Sequence, residues 1–183
     1  MTQDPKWIDI TPEKYEEQVK NWINNLQGSL KSFKFKQRSI SQGASGEYEI
    51  DIKAQFEIFN GAKILILIEC KRHKNPIKRD VVMTLESKLR DINAHKAMIF
   101  STSGFQTGAS EFADKKNIAT IIFQEGKSSY QTRSLNTNNN EPPPWANIPK
   151  YAGWFVGKNE KGNQTFSLLD NTRIDPLENW IQK

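Results

Sequence analysis

Apolar residues recur every three or four positions through Tyr15, Val19, Trp22, Leu26 and Leu30, the period of an amphipathic helix. Thr11 before Pro12 supplies its start, a hydroxyl cap followed by a residue suited to the first helical position. The period then drops. "KSFKFKQRSI" alternates briefly and is read as a strand, and the Gly- and Ser-rich "SQGASG" as a loop. From Glu49 to Phe59, Ile50, Ile52, Ala54, Phe56 and Ile58 alternate with Asp51, Lys53, Gln55 and Glu57, which predicts a half-buried strand. "FNGAK" turns the chain, and Ile64 to Lys71 is the strand that returns.

The turn fixes which side chains share a face. A three-residue loop at Asn60, Gly61 and Ala62 sets Phe59 opposite Lys63 and places Ile58, Phe56, Ala54 and Ile52 opposite Ile64, Ile66, Ile68 and Cys70. One face is then wholly apolar. On the other, Asp51 lies opposite Lys71 and one diagonal step from Glu69. A two-residue loop would turn Lys63, Glu69 and Lys71 into the core, a burial of charge that excludes this register.

Beyond "KRHKNP", Asn75 and Pro76 read as the cap and first turn of a second helix carrying Val81, Val82, Leu85, Leu89 and Ile92. "KAMIFSTS" predicts a strand, "GFQTGASEFADKK" a third helix with Phe105, Ala109, Phe112 and Ala113 inward, and "IATIIF" another strand. Helices alternating with strands argue for an α/β sandwich around a mixed sheet. The stretch 125–149 has few apolar residues, an Asn run and three consecutive prolines, and is read as a linker or surface excursion. Residues 150–183 predict a hairpin and a short helix appended to a core at 1–124.

Composition narrows the class. The chain has 183 residues, 36% apolar and 26% charged, and a net charge of +5 that leans toward a polyanionic partner. No apolar run nears the roughly 18 to 20 residues of a membrane span, and the N-terminus does not read as a signal peptide. A single cysteine completes the expectation of a reduced, soluble, cytoplasmic protein. One Cys and two separated His leave the usual zinc patterns unfilled, so a metal here would be a hard cation held by oxygen.

Asp51, Glu69 and Lys71 form the candidate constellation. Two carboxylates converging from neighbouring strands can hold Mg²⁺, with the Cys70 main-chain carbonyl between them as a further ligand, and the ammonium can stabilise an attacking hydroxide or a crowded phosphorus. The alternative is a salt bridge closing a strand end. Glu-x-Lys recurs at Glu86-Ser-Lys88 and Glu125-Gly-Lys127. Only Glu69 ends an apolar strand paired with one that bears an aspartate.

"GEYEIDI", the hairpin to "ILIECKRHKNPIKRDVV", and "KAMIFSTSGFQTGASEFADKKNIATIIF" together resemble the Mrr-type restriction endonuclease domain of the PD-(D/E)XK nuclease superfamily, over roughly residues 11 to 123. The resemblance implies a three-layer restriction-endonuclease-like core, a central mixed sheet flanked by helices. It implies Asp51 and Glu69 as ligands of Mg²⁺ or a substituting Mn²⁺, Lys71 as the catalytic lysine, and Glu16 as the helical glutamate that supports them. Ile50 stands where the superfamily name has proline, as is common in Mrr-type members. Glu17 is the rival of Glu16; Glu47 and Glu49 share the parity of Asp51, with solvated surface as their other reading.

Arg72, His73 and Lys74 put positive charge beside the site, where flanking phosphates would lie, although such runs are often solvated loops. Gln106 suits a phosphate at a helix N-terminus, but Ser103 and Gln106 also match a capping box, which is the preferred reading. Trp145, Tyr151, Trp154 and Trp180 suit either base stacking or a small core, the latter favoured. The function expected is a metal-dependent DNA endonuclease acting by direct water attack in restriction or defence. Two alternatives are a non-catalytic nucleic-acid-binding module and a partner-activated nuclease effector of a larger complex. One site per chain makes a homodimer plausible, and without a Walker-type loop any translocating partner would be a separate protein.

Overall fold

The computed structural model describes residues 10–25, 34–58, 61–126, 150–169 and 174–182. The elements are α1 (Pro12–Asn25), β1 (Lys34–Gln42), β2 (Glu47–Ile58), β3 (Ala62–Lys71), α2 (Arg79–Asp91), β4 (Lys96–Ser101), α3 (Thr107–Lys115), β5 (Ile118–Glu125), β6 (Tyr151–Lys158), β7 (Gln164–Leu169) and α4 (Asp175–Gln182). Leu26, Leu30, most of the polar stretch at 125–149 and Trp145 within it lie outside the described residues.

Seven strands form one sheet in chain order, β1 to β7. β3, β4 and β5 run parallel, with α2 and α3 as their crossovers, and the remaining neighbours are antiparallel. Alternation along each strand feeds two cores. Ile66, Ile68, Met98, Phe100, Ile121 and Phe123 pack under Tyr15, Val19 and Ile23 of α1 and Leu177 and Trp180 of α4. Leu67, Ala97, Ile99 and Ile122 pack under Val82 and Leu85 of α2 and Ala109 and Ala113 of α3. This is an α/β, three-layer, restriction-endonuclease-like arrangement. The expected C-terminal hairpin and helix are present, and the hairpin is bonded to β5, continuing the sheet. Tyr151 and Trp180 pack into the α1 side and Trp154 into the α2 side, serving the core.

Local signals were decisive at α1 and less so elsewhere. The Thr11 hydroxyl accepts the Lys14 N–H at 3.3 Å, the expected cap. The helix expected from Asn75 and Pro76 begins instead at Arg79, with Lys78 in extended conformation at its cap. Residues 72–78 are held out of the helix because Ile77 forms a bridge with Phe105. Phe105 accordingly precedes α3 while remaining buried. The Ser103–Gln106 capping box does not form: Gln106 itself occupies the cap, and the Ser103 hydroxyl donates to the Asn75 carbonyl at 2.7 Å.

The β2–β3 hairpin keeps the expected parity but not the expected pairing. Ile58 lies opposite Ala62 and Ile52 opposite Ile68, where the expected register set them opposite Ile64 and Cys70; residues 59 and 60 of the expected turn lie outside the described residues. Continued by one step, this register sets Asp51 beside Glu69 rather than opposite Lys71. Ile50 also departs from expectation: it enters the α2-side core while Ile52 stays in the α1-side core. The change of face is centred on Asp51. Across from it in the β1–β2 register stands Arg38, between Gln37↔Ile52 and Ser39↔Ile50, with φ 44°. That left-handed backbone is uncommon for a residue with a Cβ and reorients the hairpin there.

Candidate active site

The site arises where two strands part. The β2–β3 ladder extends to Ile52↔Ile68, and β2 then follows β1 alone. At the fork Asp51 turns its carboxylate to β3, where Oδ2 accepts the Cys70 N–H at 2.7 Å. In an antiparallel strand the N–H and C=O of one residue lie on the same edge. The Cys70 carbonyl is therefore directed to the Asp51 side, beyond the last paired residues of β2.

Glu69 and Lys71 follow Leu65 and Leu67 onto the α2 face of β3. Glu69 is buried, and Lys71 Nζ donates to its Oε1. Its other oxygen, Oε2, accepts from Lys88 Nζ of α2 at 3.3 Å, and the same ammonium reaches the Glu49 carbonyl at 3.3 Å. Burial pushes the Asp51 carboxyl up to about 6, and the neighbouring Glu69 and Glu16 charges add to the rise against the Cys70 N–H and Lys71. Burial opposes the Lys71 charge, but the Glu69 carboxylate outweighs it and holds that ammonium above the ordinary lysine value. Burial, with Asp51 next, also drives the Cys70 thiol well up, so this cysteine is a protonated neighbour.

Glu16 projects inward from α1, buried, whereas Glu17 is exposed. Arg38 grips Glu16 with Nε on Oε2 at 2.9 Å and a second N–H on Oε1 at 3.1 Å, and also reaches Glu13 at 2.8 Å. Glu47 and Glu49 are exposed side chains. Thus Glu16, Asp51, Glu69 and Lys71 gather around one fork, each from a different backbone position.

The family model Mrr_cat, described as restriction endonuclease, matches residues 11–127. The chain belongs to this restriction endonuclease family. No curated protein matches it. Among solved structures it is similar to AF1548, a protein of unknown function, at 23% identity and a TM-score of 0.50, over 60% of this chain and 57% of that one. That likeness concerns the fold.

In this restriction endonuclease domain the basic segment after β3 is a stitched loop. Thr102 Oγ1 accepts the His73 N–H at 2.9 Å and donates to the His73 carbonyl at 2.8 Å, while the Thr102 N–H donates to Lys71 O at 3.1 Å. Ile77 N–H donates to Gly104 O at 2.9 Å, and Gln106 N–H to Ile77 O at 3.0 Å. His73 and Lys74 are exposed and Arg72 half-buried beside Lys71; Gln106 is exposed at the start of α3.

Lys88 and Arg38 were not anticipated at the site. For Lys88 a signal existed, since Val81, Leu85, Lys88 and Ile92 fall on one helical stripe and aim the lysine toward the sheet. No sequence signal marks Arg38 as the residue that takes left-handed backbone opposite Asp51.

Proposed function

We propose that this chain is a metal-dependent endonuclease that hydrolyses DNA phosphodiester bonds by direct attack of water, serving restriction or defence against foreign DNA. The observation that carries the reading is the meeting of Asp51, Glu69 and Lys71 at the β2–β3 fork. Among the described residues no three Asp, Glu, His or Cys side chains gather into a metal cage. Mg²⁺ needs less, since it binds through one or two carboxylates and keeps several waters. Asp51 fits that role: its carboxyl is pushed up toward neutrality beside another carboxylate, the condition that a cation relieves.

Asp51, Glu69 and the Cys70 carbonyl would hold the ion. Mg²⁺, or Mn²⁺ in its place, supplies Lewis acidity toward water and toward a non-bridging phosphate oxygen when bound. Lys71 fixes a positive charge beside Glu69, where negative charge grows on the entering water and on the phosphoryl oxygens. Glu16, neutralised by Arg38, borders Asp51 as a supporting carboxylate. Arg72, His73 and Lys74 on the stitched loop, with Gln106 beyond it, suit the phosphates flanking the scissile bond. Cutting both strands takes two such sites, which favours a homodimer or two visits.

Supercoiled plasmid, single-stranded DNA and RNA incubated with Mg²⁺, Mn²⁺ or EDTA test this reading. Cleavage of DNA is expected with either ion and not with EDTA, and is expected to vanish in Lys71→Ala and Asp51→Asn while circular dichroism stays unchanged. Undiminished cutting by either variant, or in EDTA, would overturn it.

A further inference from the structure

Lys88 is the group at the fork that the reading above leaves without a task. Its side chain is 19% exposed and comes from the inward stripe of α2. Its ammonium meets two oxygens, Glu69 Oε2 and the Glu49 main-chain carbonyl, both at 3.3 Å. A carboxylate oxygen and a main-chain carbonyl are the donors a hard cation takes.

Neutralising Glu69 does not require Lys88, because Lys71 already sits on the other carboxylate oxygen. In phosphodiesterases that use two ions, the ions lie about 3.5 to 4 Å apart on either side of the reacting phosphate. Here one oxygen of Glu69 is taken up by a fixed ammonium on the α2 side. Charge balance points the same way. The three inward carboxylates Asp51, Glu69 and Glu16 are matched by Lys71, Lys88 and Arg38, the last shared with the exposed Glu13, so these inward charges are balanced before any ion arrives. One divalent ion leaves a surplus of two positive charges for the substrate phosphates; two ions would leave four against the same few anions.

We propose that Lys88 occupies the place of a second divalent cation, so that the site takes one ion and uses an ammonium for the other positive centre. Among the described residues its ammonium has two acceptors, and with three N–H groups it can donate one more bond to a substrate oxygen. The inference rests on the metal-dependent reading and specifies how many ions that reading uses.

The test counts Mn²⁺ bound per chain at pH 7.5, by electron paramagnetic resonance of free ion in a titration of the intact protein. Wild type is expected to saturate at one ion, Lys88→Arg at one, and Lys88→Glu at two, because glutamate turns the ammonium position into an oxygen donor. Lys88→Gln, a milder change, is expected to gain a second, weaker ion and carries the test if Lys88→Glu proves unfolded by circular dichroism. Two ions on wild type would overturn the inference while leaving metal dependence intact, as would a single ion on every folded variant at position 88. No saturable ion on wild type would instead overturn the metal-dependent reading itself.

Discussion

Replacing Asp51 with Asn should stabilise the metal-free protein while removing its activity. Folding moves the Asp51 carboxyl from 3.8 to about 6. Each pKa unit is worth about 1.4 kcal/mol, so holding this carboxylate charged in the fork costs ~3 kcal/mol at most. Asp51 is half-buried and solvent screens part of the repulsion, which leaves about 1 to 2 kcal/mol. Asparagine keeps an oxygen for the Cys70 N–H and sheds the charge. The sign follows from proton uptake. Between pH 4 and 6 the folded wild type binds a proton that the unfolded chain has released, so this contribution is present below pH 4 and lost as pH rises through about 6. Asp51→Asn lacks that loss. Urea melts in EDTA should therefore show the two proteins nearly equal at pH 4.5 and the variant ahead by about 1 to 2 kcal/mol at pH 8, or ~3 to 6 °C in Tm for a chain of this size. A gain of equal size at both pH values, or a variant weaker at pH 8, would refute the argument that the carboxylate is held at a cost.

The same proton should govern ion binding: Mn²⁺ affinity, measured by calorimetry, is expected to fall about tenfold per pH unit below pH 6, where an ordinary aspartate would leave it level to about pH 4. Arg38→Ala and Arg38→Gly both strip Glu16 of its guanidinium, but glycine accepts φ 44° freely, so Arg38→Gly should be the more stable of the two by about 1 kcal/mol in urea. Gly153 lies against the Trp22 ring, where a Cβ would overlap the indole, and Gly153→Ala should destabilise the protein by about 1 to 3 kcal/mol. Thr102→Val removes both hydroxyl bonds to His73; a loss of about 1 to 2 kcal/mol and weaker plasmid binding at fixed salt are expected, since the basic loop is no longer stitched down.

What the sequence disclosed depended on whether a rule is local. Period-two alternation placed Asp51 and Glu69 on one face, and the pairing, shifted by two residues, keeps that parity as far as Ile52↔Ile68; the change of face at Asp51 itself was not legible. Glu16 was separable from Glu17 for a similar reason: Val19 and Ile23 define the buried stripe, and Glu16 lies on its border. Asn75-Pro76 misled because its helix-start signal is outweighed by a tertiary bond pattern, the Ile77–Phe105 bridge, which no local pattern encodes. Lys88 was legible as an inward position of α2, yet it stood in a second Glu-x-Lys and drew attention only as a decoy. Arg38 was illegible: its left-handed backbone and its pairing with Glu16 and Glu13 of α1 bring together segments more than twenty residues apart, which no local pattern encodes.

These particulars combine into one constraint on the site. A strand pair in perfect register would offer the Cys70 N–H to a backbone carbonyl and leave Asp51 pointing away from the sheet edge. The turn of β2 at Asp51, opposite Arg38 at φ 44°, ends the ladder there, and Asp51 takes over the Cys70 N–H with its own side chain. The fork thereby holds a carboxylate beside Glu69 that no lysine neutralises directly, while the strain of Arg38 is offset by its two bonds to Glu16. It follows that Arg38 and Glu16 act on Asp51 through backbone geometry as well as charge. Arg38→Lys keeps the charge but not the planar two-pronged grip, so it should shift the Asp51 titration, read by carboxyl carbon NMR in EDTA, even though the net charge of the cluster is unchanged. An Asp51 pKa identical in wild type and Arg38→Lys would show that the fork is set by the strands alone.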